Sequence, residues 1–418
     1  MLCSPFRVGL VVVALLGAGC GQARSVGEAG GSPESTEEGS ARAAPADQVV
    51  PPDPVVPPDP VVPAANLHEF AAALLREASV EQPGNLVLSP ASFALAFALA
   101  EAGAQGRTRE EIAALFGFDR GTDIGAVLTA LRAPSGAGGP TLTVANGFFE
   151  TGRLPIRPEY KARVQDELKS DLRRVSTENL AAAVNDWVSE KTAGRITGLV
   201  PRDAVDPDTV AILVNAIYLL ARWQTPLHEV GDWSFDGVGS VPMMGVEAEF
   251  QIAEGEGYRA IRLPYLGGAM SMLIVVPDDV ATFDAGRLAE VRVSLTSGAL
   301  TSLTMPKWEF ETVLDAVPTL RRLGLTKAFD PAEADFCLMI AGACQPGAVY
   351  VSGVFHQANI SVDTEGTEAA AATAIGVVPI SAPIDPPRAF AVDRPFLFEI
   401  LHEPTATPLF FGRVIDPS

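Results

Sequence analysis

The stretch DTEGTEAAAATAIGVVPISAPIDPP, Asp363–Pro387, opens polar, runs through four consecutive alanines, turns β-branched and apolar, and ends among prolines. Taken with a period of two, Thr367, Ala369, Ala371, Thr373, Ile375 and Val377 share one face, small or β-branched and uncharged. The opposite face carries Glu368, Ala370, Ala372, Ala374 and Gly376, so the segment is able to be a strand. Yet alanine and glycine form strands poorly, and Pro379, Pro383, Pro386 and Pro387 lack the amide proton that a sheet ladder needs. The segment therefore reads as a strand held in reserve. Small side chains lower the steric cost of threading between packed strands, and the β-branched residues further along favour the inserted state.

The rest of the chain supplies a body for such a strand to join. Of 418 residues, 48% are hydrophobic and 19% charged, a composition that supports a large packed core. Leu67, Phe70, Ala71, Leu74, Leu75 and Ala78 recur at helical spacing, with Asn66 in position to cap. NLVLSPASFALAFALAEAGAQG moves from a short strand into a helix that Ser89 caps and Pro90 begins. Thr108 and Glu111 have the spacing of a capping box. NLAAAVNDWVSEKTAGRI reads as a helix stopped at Gly194, and LTVANGFFE as a strand. TVAILVNAIYLL, Thr209–Leu220, is too continuously apolar for an edge and reads as a central strand buried on both faces. MSMLIVVP, LTMPKWEFET, VYVSGVFHQANISVD, PFLFEIL and PLFFGRV add strands, so helices crowd the first half and strands the second. The expected class is α+β, one domain over residues 66–418.

Before that domain, residues 1–19 carry Arg7, an apolar run from Val8 to Leu16 and then small residues, the pattern of an export signal too short to span a membrane. LLGAGC is similar to a bacterial lipoprotein cleavage box, which implies lipidation of Cys20; an ordinary signal cut near Gly19 is the alternative. Residues 20–65, with VVPPDPVVPPDPVVP repeating a six-residue unit, form a Pro/Gly-rich linker that cannot build a core. The expected location is the cell envelope, at the outer membrane or cell surface, or else the extracellular medium.

Net charge is −21, which disfavours nucleic acid and other polyanions as partners. Cys337 and Cys344, close in an exported chain, are candidates for a disulfide worth about 2–3 kcal/mol, with two buried thiols as the alternative. No GxSxG elbow, HExxH, P-loop or CxxC pair is present, and the four histidines are His68, His228, His356 and His402. No nucleophile, metal site or cofactor site is nominated, and the chain reads as a non-enzyme.

These segments, taken in order, resemble the serpin family over essentially all of residues 66–418. NLVLSPASFALAFALAEAGAQGRTREEI, VNDWVSEKTAGRI, LVNAIYLLARW, LPYLGGAMSMLIVVP, MPKWEF, GTEAAAATA, DRPFLFEI and PLFFGRVIDP follow the family's order. The resemblance implies three β-sheets, eight or nine helices and an exposed reactive-centre loop that baits a protease. After cleavage the loop inserts into the main sheet and the acyl-enzyme is dragged away and distorted. It further implies a metastable monomer that needs no cofactor and performs no catalysis itself. The insertion hinge is Gly366, Thr367, Glu368, Ala369, Ala370, Ala371, Ala372 and Thr373. Counting from it sets the scissile bond at Ile380–Ser381, flanked by Val378 and Pro379, with a cut after Val378 as the alternative. Ile380 points to an elastase-like serine protease; a cysteine protease target and a non-inhibitory binding or chaperone-like role are the rival readings. Ser89, Ser92, Asn215 and His356 match the family's shutter, and Trp223 the tryptophan where the loop enters. Two departures stand out: Thr364 occupies the position of a glutamate that usually pairs with the lysine matching Lys307, and LLARW replaces the usual Phe-Lys-Gly-x-Trp.

Overall fold

The expected central strand is Ala211–Arg222, β5 in a chain-order numbering, and it lies inside a seven-stranded sheet. On one side it pairs antiparallel with β3 (Thr141–Glu150), which pairs with β4 (Ser170–Arg174). On the other side runs a column made of two short pieces, β1 (Gly9–Gly17) and β13 (Gly366–Thr367). Beyond the column come β12 (Tyr350–Val362) and β11 (Trp308–Asp315). The computed structural model describes residues 9–17, 65–118, 123–133, 139–281, 283–367 and 386–418.

The unbroken apolar run of β5 has a direct cause, because each face of this strand meets its own core. Leu213, Ile217 and Leu219 belong to the large core between the two sheets. Ile212, Val214 and Ala216 face a second cluster with Phe149 and with Leu180, Val184 and Trp187 of helix α6 (Thr177–Lys191). Burial of each such aliphatic side chain contributes about 1.5–3 kcal/mol.

The second sheet has nine strands, in the order β14 (Arg388–Ala391), β10 (Thr296–Pro306), β7 (Gly239–Gly255), β8 (Tyr258–Pro264), β9 (Met270–Pro277), β15 (Phe396–His402), β16 (Thr407–Val414) and β2 (Leu86–Leu88); β6 (His228–Phe235) joins at β7. The long β7 pairs with β6 and β10 and, at its far end, with β8. It thereby joins two lobes into one network, which is how the three sheets of the expected fold resolve into two hydrogen-bonded sets. Helix α2 (Pro90–Glu101) lies between the sheets against β5 and β16, and all of its residues are buried. Ser89 caps it by accepting from the Ser92 amide, and Pro90 occupies its first turn, as expected. Together with α1 (Ala65–Glu81), α3 (Gly106–Phe116), α4 (Ile124–Leu131), α5 (Pro158–Asp166), α7 (Ala285–Ser294) and α8 (Val317–Arg322), eight α-helices are present among the described residues. The class is α+β.

Two helix starts differ from expectation. α1 begins at Ala65, so Asn66 falls inside its first turn instead of capping it. α3 begins at Gly106, ahead of Thr108, and the capping box does not form. The Thr108 hydroxyl accepts instead from the Asp335 amide at 2.9 Å, and the Glu111 carboxylate accepts from the amides of Thr326 and Lys327, both at 2.7 Å. Distant backbone amides took the two side chains that a local cap would have used. Cys337 and Cys344 form a disulfide. The stretch read as an export leader is a strand in the chain that still carries it, aligned parallel to both β5 and β12.

One buried charge ties three elements of the second sheet's flank together. Glu399 on β15 accepts from Arg292 of α7 at 2.7 and 3.1 Å and lies 3.0 Å from His68 Nδ1 of α1. Burial alone would raise the Glu399 carboxyl, but His68 and Arg292 outweigh it and hold the group down at about 2 from an ordinary 4.5. Because the folded value is depressed, the stabilisation is complete above the ordinary value and is lost as pH falls through about 2. Glu399→Gln is expected to cost about 3 kcal/mol near neutral pH. The difference from wild type should shrink steadily below pH ~4 in urea unfolding across a pH series.

Candidate functional site

The candidate site is the column between β5 and β12, where the reserve strand begins. Its first rung exists already: Thr367 pairs with Ala221 on one side and Val362 on the other, and Gly366 with Arg222. Gly366 has φ +155°, and a Cβ there would meet the Ala221 carbonyl oxygen at 2.1 Å, so only glycine fits. The Asp363 carboxylate accepts from the amides of Glu365 (2.9 Å) and Gly366 (3.2 Å), which bends the chain into the sheet. The segment after β5 fastens the bend. Trp223 N donates to the Glu365 carbonyl at 2.9 Å and Leu227 N to that of Thr364 at 2.8 Å.

Trp223 lies against the bend that carries Asp363–Gly366 into the sheet. Its indole Nε1 donates to the Asp363 carbonyl at 2.9 Å, and its ring stacks flat on Tyr265, 4.7 Å apart and tilted by 6°. The Tyr265 hydroxyl in turn lies 2.6 Å from the Thr367 hydroxyl, both fully buried. Burial holds that phenol far above its ordinary value, so it remains protonated and available as a donor. The wedge of Trp223, Tyr265 and Thr367 is thus closed by aromatic stacking and one buried hydrogen bond. Lys307, deprived of the usual glutamate by Thr364, finds Glu229 on β6 at 2.5 Å. The pair is exposed at Glu229 and contributes little.

Deeper in the column lies a polar chain through the core. The Ser89 hydroxyl donates to the Leu409 carbonyl at 2.6 Å and accepts from the Ser92 amide at 3.0 Å. Ser92 Oγ donates to Asn215 Oδ1 at 2.5 Å; Asn215 Nδ2 donates to Asn146 Oδ1 at 2.8 Å, and Asn146 Nδ2 to the Leu168 carbonyl at 2.7 Å. The structure therefore joins Ser89, Ser92 and Asn215, as expected, and adds Asn146. It holds His356 apart from Asn215: Ala14 of β1 pairs with both residues, so two ladder spacings of about 4.8 Å separate the strands that carry them. His356 packs instead on the Phe93 ring of α2, with centroids 4.8 Å apart.

Sequence reasoning missed Asn146, Tyr265 and Asp363. Asn146 had a legible signal, a lone amide inside the apolar strand LTVANGFFE, and Asp363 another, a carboxylate two and three residues ahead of the amides it accepts from, whereas Tyr265 is defined by partners distant in sequence. The rest of the expected site lies outside the described residues: Glu368, Ala369, Ala370, Ala371, Ala372 and Thr373 of the hinge, the flank Val378 and Pro379, the Ile380–Ser381 bond, and Cys20.

Residues 65–417 match the family model described as serpin, serine protease inhibitor. The chain is 32% identical over 362 residues to Serpin-Z1C of Triticum aestivum, covering 80% of this chain and 90% of that protein. It is 32% identical over 386 residues to the leukocyte elastase inhibitor of Sus scrofa, covering 85% and 99%. The crystal structure of Serpin48 from Tenebrio molitor superimposes with a TM-score of 0.69 at 27% identity, over 84% of this chain and 96% of that one.

Removing the Tyr265 hydroxyl leaves the buried Thr367 hydroxyl without that partner, so Tyr265→Phe is expected to destabilise by about 1–2 kcal/mol. Trp223→Ala also empties the stacked position and is expected to cost about 3–5 kcal/mol. Urea unfolding of the two variants should reproduce that order.

Proposed function

Because the chain belongs to the serpin family, a family of serine protease inhibitors, we propose that it is a single-use trap for an elastase-like serine protease. The protease attacks the Ile380–Ser381 bond and forms an acyl-enzyme at Ile380. The hinge then feeds into the column between β5 and β12, and the growing strand carries the acyl-enzyme across the molecule before water can release it. The chain's own part is mechanical, since the nucleophile belongs to the protease and the serpin supplies the bond and the sheet.

The observation that carries this reading is the rung at Thr367, paired on both sides, because insertion would extend a ladder that has already begun. The hinge composition supports it: from Ala369 to Ala372 nothing larger than a methyl group must pass between the strands. The elastase-like target is supported by Ile380, an aliphatic residue suited to a small apolar primary pocket and unsuited to one that demands Arg or Lys. The likeness to the leukocyte elastase inhibitor agrees with that pocket chemistry. The domain stands on a lipid anchor at Cys20, held off the envelope surface by the Pro-rich linker at about 3.1 Å per residue in its extended part.

Mixed with an elastase-like protease, the exported protein should give a complex that survives SDS and boiling and, at early times, a released C-terminal peptide beginning at Ser381. Cleavage without complex would make the chain a substrate and favour a non-inhibitory role; a complex formed only with cysteine proteases would move the target class. Thr367 is fully buried, so Thr367→Arg should block the ladder at its first step and turn inhibitor into substrate. Radiolabelled palmitate should enter the wild type and not Cys20→Ala, and labelling of neither would return the leader to an ordinary secretion signal.

A further inference from the structure

The main sheet is in two halves, β3–β4–β5 and β12–β11, and β5 and β12 do not pair with each other among the described residues. Thr367 bridges them at one end of the column, against Ala221 and Val362. The opposite end is tied differently. Strand β3 ends at Glu150, opposite Ala211 of β5, and the connector behind it stays on that half because Thr151 N donates to the Val210 carbonyl at 2.9 Å. A few residues on, the connector pairs with Met339–Ala341, the segment that leads toward β12. Ile156 and Ile340 form an antiparallel bridge; Arg157 N donates to the Met339 carbonyl at 2.9 Å, Ala341 N to that of Pro155 at 2.7 Å, and Arg157 Nε to that of Ile340 at 2.7 Å. This strap runs from one half of the sheet to the other.

A ladder so short is marginal by itself, and three features preorganise it. Met339 and Ile340 are buried, with Met339 packed so closely on Gly103 that a Cβ there would lie 3.0 Å from its own Cβ. Upstream, Gln105 N donates to the Asp335 carbonyl at 3.0 Å and Cys337 N to the Asp335 carboxylate at 3.2 Å, which holds the segment on the start of α3. The Cys337–Cys344 disulfide then closes Met339–Ala341 into a small ring and removes most of the conformations that the freed segment would explore. The bond is within reach of solvent. Cys337 is buried, but Cys344 is half-buried and its neighbours Gly342, Ala343 and Gln345 are exposed, so an incoming thiolate meets Cys344 Sγ first.

We propose that the Cys337–Cys344 disulfide is a redox-sensitive clasp on this strap: oxidised, it fixes the two halves of the main sheet at the end remote from Thr367; reduced by a dithiol, it lets them loosen. In the reduction one thiolate of the dithiol attacks Cys344 Sγ, the S–S bond breaks, and Cys337 leaves as a thiolate that takes up a proton. The second thiol of the reagent then closes on the first and frees Cys344, so two electrons pass to the protein and the dithiol ends as its cyclic disulfide. The effect on trapping rests on the function proposed above; the clasp does not.

The test compares the exported protein in its oxidised form with the same protein reduced by dithiothreitol, its thiols blocked with iodoacetamide and the reagents removed. Cys337→Ala/Cys344→Ala supplies a form that needs no reagent. Loss of the bond is expected to accelerate amide exchange at Arg157 and Ala341 by about tenfold to a hundredfold, ahead of any change in β9 and β15. A disulfide that resists the dithiol in the folded chain would overturn the proposal, as would exchange at Arg157 and Ala341 that is unchanged or rises only in step with β9 and β15. If the double variant fails to fold, the reduced wild type, reoxidised to recover slow exchange, decides the matter. Mixed with an elastase-like protease, the loosened forms should give about twofold more SDS-stable complex relative to cleaved chain, since a sheet that parts more easily takes the loop in sooner. Equal partition in all forms would overturn the link to trapping. Absence of complex from every form would defeat the inhibitory reading, while the exchange result still decides the clasp.

Discussion

The structure turns on the hydrogen-bonding groups that β5 and β12 turn toward each other. Both strands are central and largely buried, and they run in the same direction, so each presents a row of N–H and C=O groups to the column between them. A buried backbone group without a partner costs about 1–3 kcal/mol. A vacant column would therefore consume more than the few kcal/mol by which a domain of this kind is stable. Two arrangements escape that cost: the strands pair directly with each other, or a third strand fills the gap. Everything functional about the molecule follows from that choice between a closed sheet and a filled one.

The polar residues near the column make sense in this light. Ser89, Ser92, Asn215 and Asn146 form a chain of donors and acceptors from the cap of α2 to the end of α5, buried where apolar side chains would pack more simply. The donors and acceptors named in that chain are matched in the filled sheet, while His356, on the far side of the third strand, rests on Phe93. Hydrogen bonds are directional, so this network distinguishes the two arrangements of the sheet more sharply than an apolar core could. At the top of the column the wedge of Trp223, Tyr265 and Thr367 holds the first rung in place. The Lys307–Glu229 pair stands beside it where a pair to the loop itself would be expected.

Much of this was legible in the residues, for reasons that differ from element to element. β5 was readable because two cores demand apolar side chains on both faces, and α2 because Ser89 and Pro90 mark its start as Asn66 does not mark that of α1. The reading of Asp363–Pro387 as a strand in reserve rests on its residues, since 368–385 lie outside the described residues and only the pairing of Gly366 and Thr367 is on view. What failed were inferences from local spacing alone: Thr108 and Glu111 have the interval of a capping box, but Asp335, Thr326 and Lys327 compete for them from more than two hundred residues away. Lys307 and Glu229 are likewise brought together only by β6 and β10 both flanking β7. The leader is the most instructive case. Hydrophobic run length identifies residues 8–16 as an export signal, and nothing in that pattern reveals that residues 9–17 pair in parallel with β5 and β12.

That coincidence follows from physics shared by both roles. An export leader is apolar, short and uninterrupted by charge, and a strand in a buried parallel sheet is the same. The loop must meet a stricter condition. On the function proposed above, it has to be good enough as a strand to drive insertion once cut, yet poor enough not to insert while both its ends are held, a balance that alanines strike better than valines.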